Sequence, residues 1–502
     1  MEEHKPDPEM GDEKDELKAH ATEIFDSHNE KALMRKIDWH ILPVMFTAYM
    51  LQFLDKTALG YTAIFGIQQS LKLVGDQYSW ASSAFYFGFL VVSYPVSLCF
   101  IKFPIAKFLS ISFEISSIIW AVILACHGAT SNFEGLISLR VLLGVFESTI
   151  SPGLSLLTGL WYKRSEHASR HGIWFAGNSV SSIFGGLLTY GIGHISNSVE
   201  PWRWIFIIFG ILTFAYGIVF YIYLPDSPRN ARFLSKQEGE FIHQRAQQES
   251  HTSVSHKWSK SQCLEALMDP KTWLIFVYSM ASSIPNGGLT SFGSIVIAGF
   301  GYSTFNTLLV GLPTSVFTLI WVVLATIIVT KFRKSRCLTA ACLQLISLAG
   351  SIMVSQIDPT KKVSRLAGMW LFPAYSAGIP IILSIIASNV AGYTKRTTLT
   401  AVMFIGNCTG NITGPFLFFA DEMPDYGSAW IGIMISLAIA FVAILGLRQL
   451  FQFQNRQRDR RQNVKIDPES RQDFETDEVG ALDRALDEDE TDWENQNFRY
   501  YL

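Results

Sequence analysis

Arg140-Val141-Leu142-Leu143-Gly144-Val145-Phe146-Glu147 stands inside an apolar run that extends from Asn132 to Leu160. A helix needs about 20 apolar residues to cross a bilayer, and this run is longer. Arg140 and Glu147 lie seven residues apart, so both side chains leave one face of the helix. An ionisable side chain at the bilayer centre costs about 2.5 kcal/mol or more even on lenient insertion scales, so that face must turn away from lipid. Buried charges in such places mark an ion or substrate path, which points to transport rather than anchoring. Gly144, Pro152, Gly153 and Gly159 punctuate the same run; small residues let helices approach closely and Pro152 predicts a kink.

The whole chain follows this pattern. Of 502 residues, 49% are apolar and only 17% charged, below the usual share in a soluble domain. Twelve spans are predicted, at 39–59, 78–100, 108–126, 132–160, 171–193 and 202–224, then at 272–298, 305–329, 337–356, 366–390, 398–419 and 428–450. The expected fold is an all-α membrane protein of twelve transmembrane helices in two six-helix bundles. Its parts are an acidic tail (1–37), an N-terminal bundle (38–224), a middle loop (225–271), a C-terminal bundle (272–452) and a second tail (453–502). The halves read as a coarse parallel repeat, with Trp161-Tyr162-Lys163-Arg164 answered by Gly392-Tyr393-Thr394-Lys395-Arg396.

Charge sets the orientation. Lys102, Lys107, Lys163, Arg164, Arg170, Lys331, Arg333, Lys334, Arg336, Lys395 and Arg396 fall in alternate loops. The positive-inside rule therefore places both termini and the middle loop in the cytoplasm. The acidic opening lacks the features of a cleaved signal, so the first apolar block is expected to serve as an uncleaved anchor. Both tails are too polar to fold alone, and Leu486-Asp487-Glu488-Asp489-Glu490 reads as a solvated run. The six cysteines show no metal or disulfide spacing. No nucleotide, metal or nucleophile motif of an enzyme stands out, and no cofactor or nucleic-acid partner is implied.

Two charged sites carry the chemistry. Asp55 and Lys56 interrupt the first span; they are either a helix end with a snorkelling lysine or a site that takes up a proton or an anion. Arg140 offers a planar fork for a carboxylate, and the alternative for it is a helix-to-helix salt bridge. Glu147 has no cation among its local neighbours and is the better proton carrier. Asn178, Asn286 and Asn407 offer neutral hydrogen bonds to a substrate, or glue between helices. Pro285-Asn286-Gly287-Gly288 predicts a broken seventh span. The mixed-charge stretch from Lys163 to Arg170 is either an orientation signal or an ion-pair latch.

Several strings together carry a resemblance: Lys36-Ile37-Asp38, Ile41-Leu42-Pro43, Phe53-Leu54-Asp55-Lys56, the Arg140–Glu147 octet, Pro152-Gly153, Trp161-Tyr162-Lys163-Arg164-Ser165-Glu166, Trp202-Arg203-Trp204-Ile205-Phe206, Leu224-Pro225-Asp226-Ser227-Pro228, Ser388-Asn389-Val390-Ala391-Gly392-Tyr393-Thr394-Lys395-Arg396 and Gly410-Asn411-Ile412-Thr413-Gly414-Pro415. Over residues 36–450 the chain resembles the anion:cation symporter branch of the major facilitator superfamily, and within it the fungal allantoate permease family. The resemblance implies a carrier that rocks about a central site and moves a small organic anion (allantoate, ureidosuccinate, nicotinate, pantothenate or biotin) together with protons. It implies proton coupling at Asp55 and Glu147, and substrate contact at Lys56 and Arg140. Lys56 departs from the wider branch, whose first-span pair has arginine there and so a fork where this chain has a point charge. The expected partners are that anion, protons and the lipid bilayer, with the chain a monomer in the plasma membrane. A nutrient sensor and a proton-coupled drug antiporter on the same fold are the competing readings; Arg140 and Lys56 oppose a cationic drug.

Overall fold

The structure, a computed structural model, describes residues 27–102, 116, 118–162, 164–195, 198–225, 227–248, 258–332, 335–462, 490–495 and 497–502. These residues form helices and connecting turns, with no strand among them. In chain order the first half has α1 (Ser27–Ala63), α2 (Gln77–Lys102), α3 (Ile118–His127), α4 (Phe133–Glu147), α5 (Ile150–Trp161), α6 (Arg164–Phe175), α7 (Gly177–Ile192) and α8 (Pro201–Tyr223). Two short helices follow, α9 (Lys236–Gln248) and α10 (Lys260–Met268). The second half has α11 (Pro270–Gly299), α12 (Thr304–Lys331), α13 (Arg336–Gln356), α14 (Lys362–Leu371), α15 (Gly378–Asn389), α16 (Tyr393–Thr413) and α17 (Gly427–Arg461). Of the predicted span 108–126, residues 108–115 and 117 lie outside the described residues, and α3 covers its residues 118–126.

Five stretches are long and apolar enough to cross a membrane, among the described residues: Pro201–Phe220, Thr304–Lys331, Arg336–Gln356, Lys362–Asn389 and Gly427–Arg461. α12 shows why lipid is the solvent, since Val316, Ile320, Val323, Leu324, Ile327 and Ile328 all lie exposed on it. The other helices miss that measure for reasons the sequence explains. α1 carries Asp55 and Lys56, and the fourth predicted span is cut into α4 and α5 by a turn at Ser148 and Thr149. Pro152 falls in the first turn of α5, where a missing N–H costs nothing. The tenth predicted span, which does meet that measure, also contains a break, a 3₁₀ segment at Phe372–Ala377.

Three expectations are corrected. The first helix begins at Ser27 rather than near 39, because Leu33, Met34 and Ile37 pack inward while Lys36 and Asp38 pair with Glu238 (3.1 Å) and Arg170 (3.0 Å). The seventh span is unbroken: α11 runs straight through Pro285. Its glycines serve close packing instead, since a Cβ on Gly287 would lie 2.4 Å from the Asn411 carbonyl of α16, and one on Gly410 2.1 Å from that of Met280. Finally, the described part of residues 490–502 packs on the protein rather than forming part of a free second tail; of the run expected to be solvated, residues 486–489 lie outside the described residues. Phe498 and Tyr500 are buried in the second-half core with Ile385, Leu447 and Phe451. Residues 1–26 and 463–489, the bulk of both acidic tails, lie outside the described residues.

At the end of the molecule where α1 starts, ion pairs bind elements of the first half to one another and to α9. Arg170 of α6 holds Asp38, and Arg245 of α9 holds both Glu30 (2.8 Å) and Glu166 (2.9 Å). These pairs favour the latch reading of the mixed-charge stretch, of which Lys163 lies outside the described residues.

Candidate functional site

α1, α2 and α4 bring the charged residues together in the protein interior. α4 packs on α2 through glycine: a Cβ on Gly144 would lie 1.9 Å from the Phe85 carbonyl, and one on Gly88 2.1 Å from that of Val141. Such closeness lets the Arg140 guanidinium reach across, where Nε donates to the Ala81 carbonyl (3.2 Å) and the fork lies over the Phe85 ring (5.4 Å). Its Nη1 has no hydrogen-bond partner. The helix break after Glu147 leaves terminal carbonyls in need of donors, and Gln52 of α1 supplies one to the Glu147 carbonyl (3.2 Å).

Glu147 is wholly enclosed, and neither carboxylate oxygen has a hydrogen-bond partner. Arg140 and Lys56 both lie within electrostatic reach of it. Asp55 is also wholly enclosed and accepts a hydrogen bond from Thr213 of α8 (3.0 Å). The helix continues two turns beyond Lys56, to Ala63, so the pair is not a helix end at the interface. The Lys56 ammonium rests over the Tyr86 ring (4.7 Å), and the Tyr86 hydroxyl is buried without a partner. This arrangement holds cations and aromatic faces around an unpaired carboxyl group, which suits an anion and a proton.

The asparagines are placed differently. Asn286 donates to Asn411 (2.8 Å), Asn411 to the Asn407 carbonyl (2.8 Å) and Asn407 to Ser283 (2.8 Å), a polar ladder between α11 and α16. Cys408 of the same helix stands within electrostatic reach of Lys56, so the ladder borders the charged site from the second half. Asn178 sits at the Tyr49 hydroxyl with Ser151, two turns along α1 from Lys56. Sequence reading missed Tyr86, Thr213 and Gln52. Gln52 was within reach, standing three residues before Asp55 on an otherwise apolar helix; nothing in the sequence singles out the other two.

The end of the site away from the chain termini is closed. The Tyr78 hydroxyl joins the Leu59 and Ser291 carbonyls (both 3.0 Å), Ser82 meets Ser291 (2.5 Å), and Ser79 and Ser83 donate to the carbonyls of Pro415 (2.9 Å) and Ile412 (2.8 Å). Each contact but the first joins one half to the other. A Cβ on Gly60 would lie 2.3 Å from the Thr290 carbonyl. Gly60→Ala is therefore expected to hold this end apart. A Ser82→Cys reporter should then react severalfold faster with an impermeant thiol reagent added from that side, and unchanged reactivity would contradict the closure.

A carrier of solutes across the membrane is the class of protein that this fold and site define, and comparison with known proteins agrees. The sequence model of the Major Facilitator Superfamily matches residues 45–415, so the chain belongs to that superfamily: it is a multi-pass membrane transporter and not an enzyme. It is 34% identical to the allantoate permease of Saccharomyces cerevisiae over 98% of this chain and 90% of the relative. Within the superfamily it therefore belongs to the fungal allantoate permease family. It is also 36% identical to an uncharacterized transporter of Schizosaccharomyces pombe, over 87% of this chain and 81% of that one. Among solved structures it resembles an inward-open xylose transporter from E. coli, with TM-score 0.61 at 15% identity, over 82% of this chain and 95% of that chain.

Proposed function

We propose that the chain is a proton-coupled symporter of a small organic anion, working as a monomer in the plasma membrane with both termini cytoplasmic. The observation that carries this reading is Glu147, an enclosed carboxyl group whose oxygens have no partner, within reach of two cations. An ionised carboxylate in such a place costs several kcal/mol unless it is paired or neutralised. A proton on Glu147 removes that charge and leaves Arg140 and Lys56 free to hold the substrate carboxylate. Asp55 takes a second proton or balances Lys56. With Asp55 ionised, a protonated Glu147 and a monocarboxylate bring the site to zero net charge; with Asp55 protonated, a dicarboxylate does so, and the halves then rock past one another with no net charge to carry through a dry state. In this orientation the closed end faces outward.

The substrate is a carboxylate of the allantoate or ureidosuccinate kind, or a vitamin acid such as nicotinate, pantothenate or biotin. The polar ladder, with Asn286 and Asn407, faces its neutral polar groups (amide, ureido or ring nitrogen), and Asn178 lines the path toward the cytoplasm. Uptake of labelled compounds by cells lacking endogenous permeases, at acidic and neutral external pH, tests the reading. At least one of these acids should accumulate faster at acidic pH; pH-independent equilibration of all of them would overturn it.

A further inference from the structure

The second-half helix ends on the side of the chain termini form a cleft, and the described part of residues 490–502 lies in it. Asp492 is wholly enclosed and pairs with Lys271 and with Lys395 (2.7 Å), two ammonium groups that Asp269 also faces (3.1 and 3.3 Å) and one of which Glu265 holds (2.6 Å). Burial alone raises the Asp492 carboxyl; Lys271 and Lys395 override it and hold the group at about 2. The Tyr500 hydroxyl donates to the same carboxylate (2.7 Å). Beyond it, side-chain amides grip the backbone twice over. Asn455 donates to the Tyr500 carbonyl (2.8 Å) and accepts its N–H (2.9 Å), and Asn389 does the same for Tyr501 (3.0 and 2.6 Å). A charge-matched pocket followed by amide clamps on an extended backbone is how proteins bind peptides.

Thr491 sits at the tight end of this cleft. It is fully enclosed, and its hydroxyl accepts the Glu494 N–H (3.2 Å) while Glu494 accepts the Thr491 N–H (2.8 Å). Its methyl is packed so closely on the backbone of Gly392 that a Cβ there would lie 3.0 Å away. The flanking sequence, Asp487-Glu488-Asp489-Glu490-Thr491-Asp492-Trp493-Glu494, is acidic on both sides. That pattern suits a protein kinase with a basic peptide site. A phosphoryl group adds about −1.5 to −2 charges and three oxygens. The docked position offers it no room, and its charge would join Asp492, Asp269 and Glu265, three acids already matched by Lys271, Lys395 and Arg458, which bonds the Asp492 carbonyl and the Tyr500 hydroxyl.

We propose that the cleft is a peptide-binding site whose ligand is the chain's own residues 490–502, and that Thr491 is a phosphorylation site whose modification and docking exclude one another. The kinase acts on the released segment. The Thr491 hydroxyl oxygen bonds to the γ-phosphorus of ATP, the bond to ADP breaks, and the hydroxyl proton passes to the kinase base. The modified segment then stays out, and Lys271 and Lys395 lose the carboxylate of Asp492.

The test compares phosphate incorporation at Thr491 by an acidophilic kinase in three substrates: the full chain in nanodiscs, the full chain carrying Asn389→Ala and Asn455→Ala, and a free peptide of residues 485–502. The double variant removes four backbone hydrogen bonds and leaves the acidic motif intact. Docking predicts that the peptide is modified fastest, the wild-type chain slowest, and the double variant at least about tenfold faster than wild type. Asn455→Ala alone should fall between, and it guards against misfolding of the double variant. A wild-type chain modified as fast as the peptide, or variants no faster than wild type, would overturn the docked ligand. A peptide that the kinase leaves unmodified would overturn the phosphorylation site.

Discussion

Glu147→Gln is expected to abolish uphill uptake while leaving exchange of substrate across the membrane. The replacement keeps the shape of the side chain and its capacity for hydrogen bonds, but it cannot load or release a proton. Each pH unit across the membrane supplies about 1.4 kcal/mol per proton, which is about tenfold in accumulation. A coupled carrier in vesicles with a two-unit gradient therefore concentrates its substrate up to about a hundredfold per proton carried. The Glu147→Gln variant should settle near an internal-to-external ratio of about one at every gradient, since no proton then drives the solute. Counterflow, in which labelled substrate outside exchanges for unlabelled substrate inside, needs only the loaded carrier to rock. It should persist in the variant, because a neutral amide mimics the protonated carboxyl. Asp55→Asn is the informative partner. Asp55 already has a hydrogen-bond donor in Thr213, whereas the Glu147 oxygens have none. A milder loss in Asp55→Asn than in Glu147→Gln supports Glu147 as the coupling group; the reverse order moves that role to Asp55, and intact accumulation in both ends the coupling argument.

Much of this site was legible because charge in an apolar helix is scarce and has few explanations. Arg140, Glu147, Asp55 and Lys56 could be singled out from spacing alone, and the structure gathers all four. What stayed hidden depended on contacts between distant parts of the chain. Asp492 meets Lys271 across 221 residues, and no local pattern distinguishes it from the other acids of the tail. Tyr86 looks like any aromatic residue of an apolar helix until Lys56 is placed over its ring. Pro285 and the two glycines after Asn286 were legible as unusual but not as to their use: glycine marks a helix break and a close helix contact alike, and only the neighbour decides between them. The same ambiguity surrounds Gly144, where the neighbour is known and the consequence can be measured.

Gly144→Ala is expected to cost both stability and transport, although alanine is the better helix former by about 1 kcal/mol. The added Cβ would stand 1.9 Å from the Phe85 carbonyl and 2.9 Å from its carbon, both backbone atoms of α2 that no side-chain rotation can clear. α2 and α4 must move apart, and overpacking of this kind typically costs about 1–3 kcal/mol. The separation has a second effect at the site. The Arg140 Nε bond to Ala81 spans the same interface one turn away, at 3.2 Å, and lengthens with it. Arg140 then loses the anchor that holds its fork over Phe85, and the substrate carboxylate meets a mobile cation instead of a fixed one. Gly159→Ala is the matched control, since a Cβ there meets nothing within 4 Å in the same predicted span. Thermal melting in detergent and initial uptake rates should therefore separate the two variants: Gly159→Ala close to the parent, Gly144→Ala lower in midpoint by several degrees and slower in uptake by about tenfold or more. A Gly144→Ala carrier that matched the control in both would mean that α2 and α4 do not depend on this close approach, and that Arg140 is not held by Ala81.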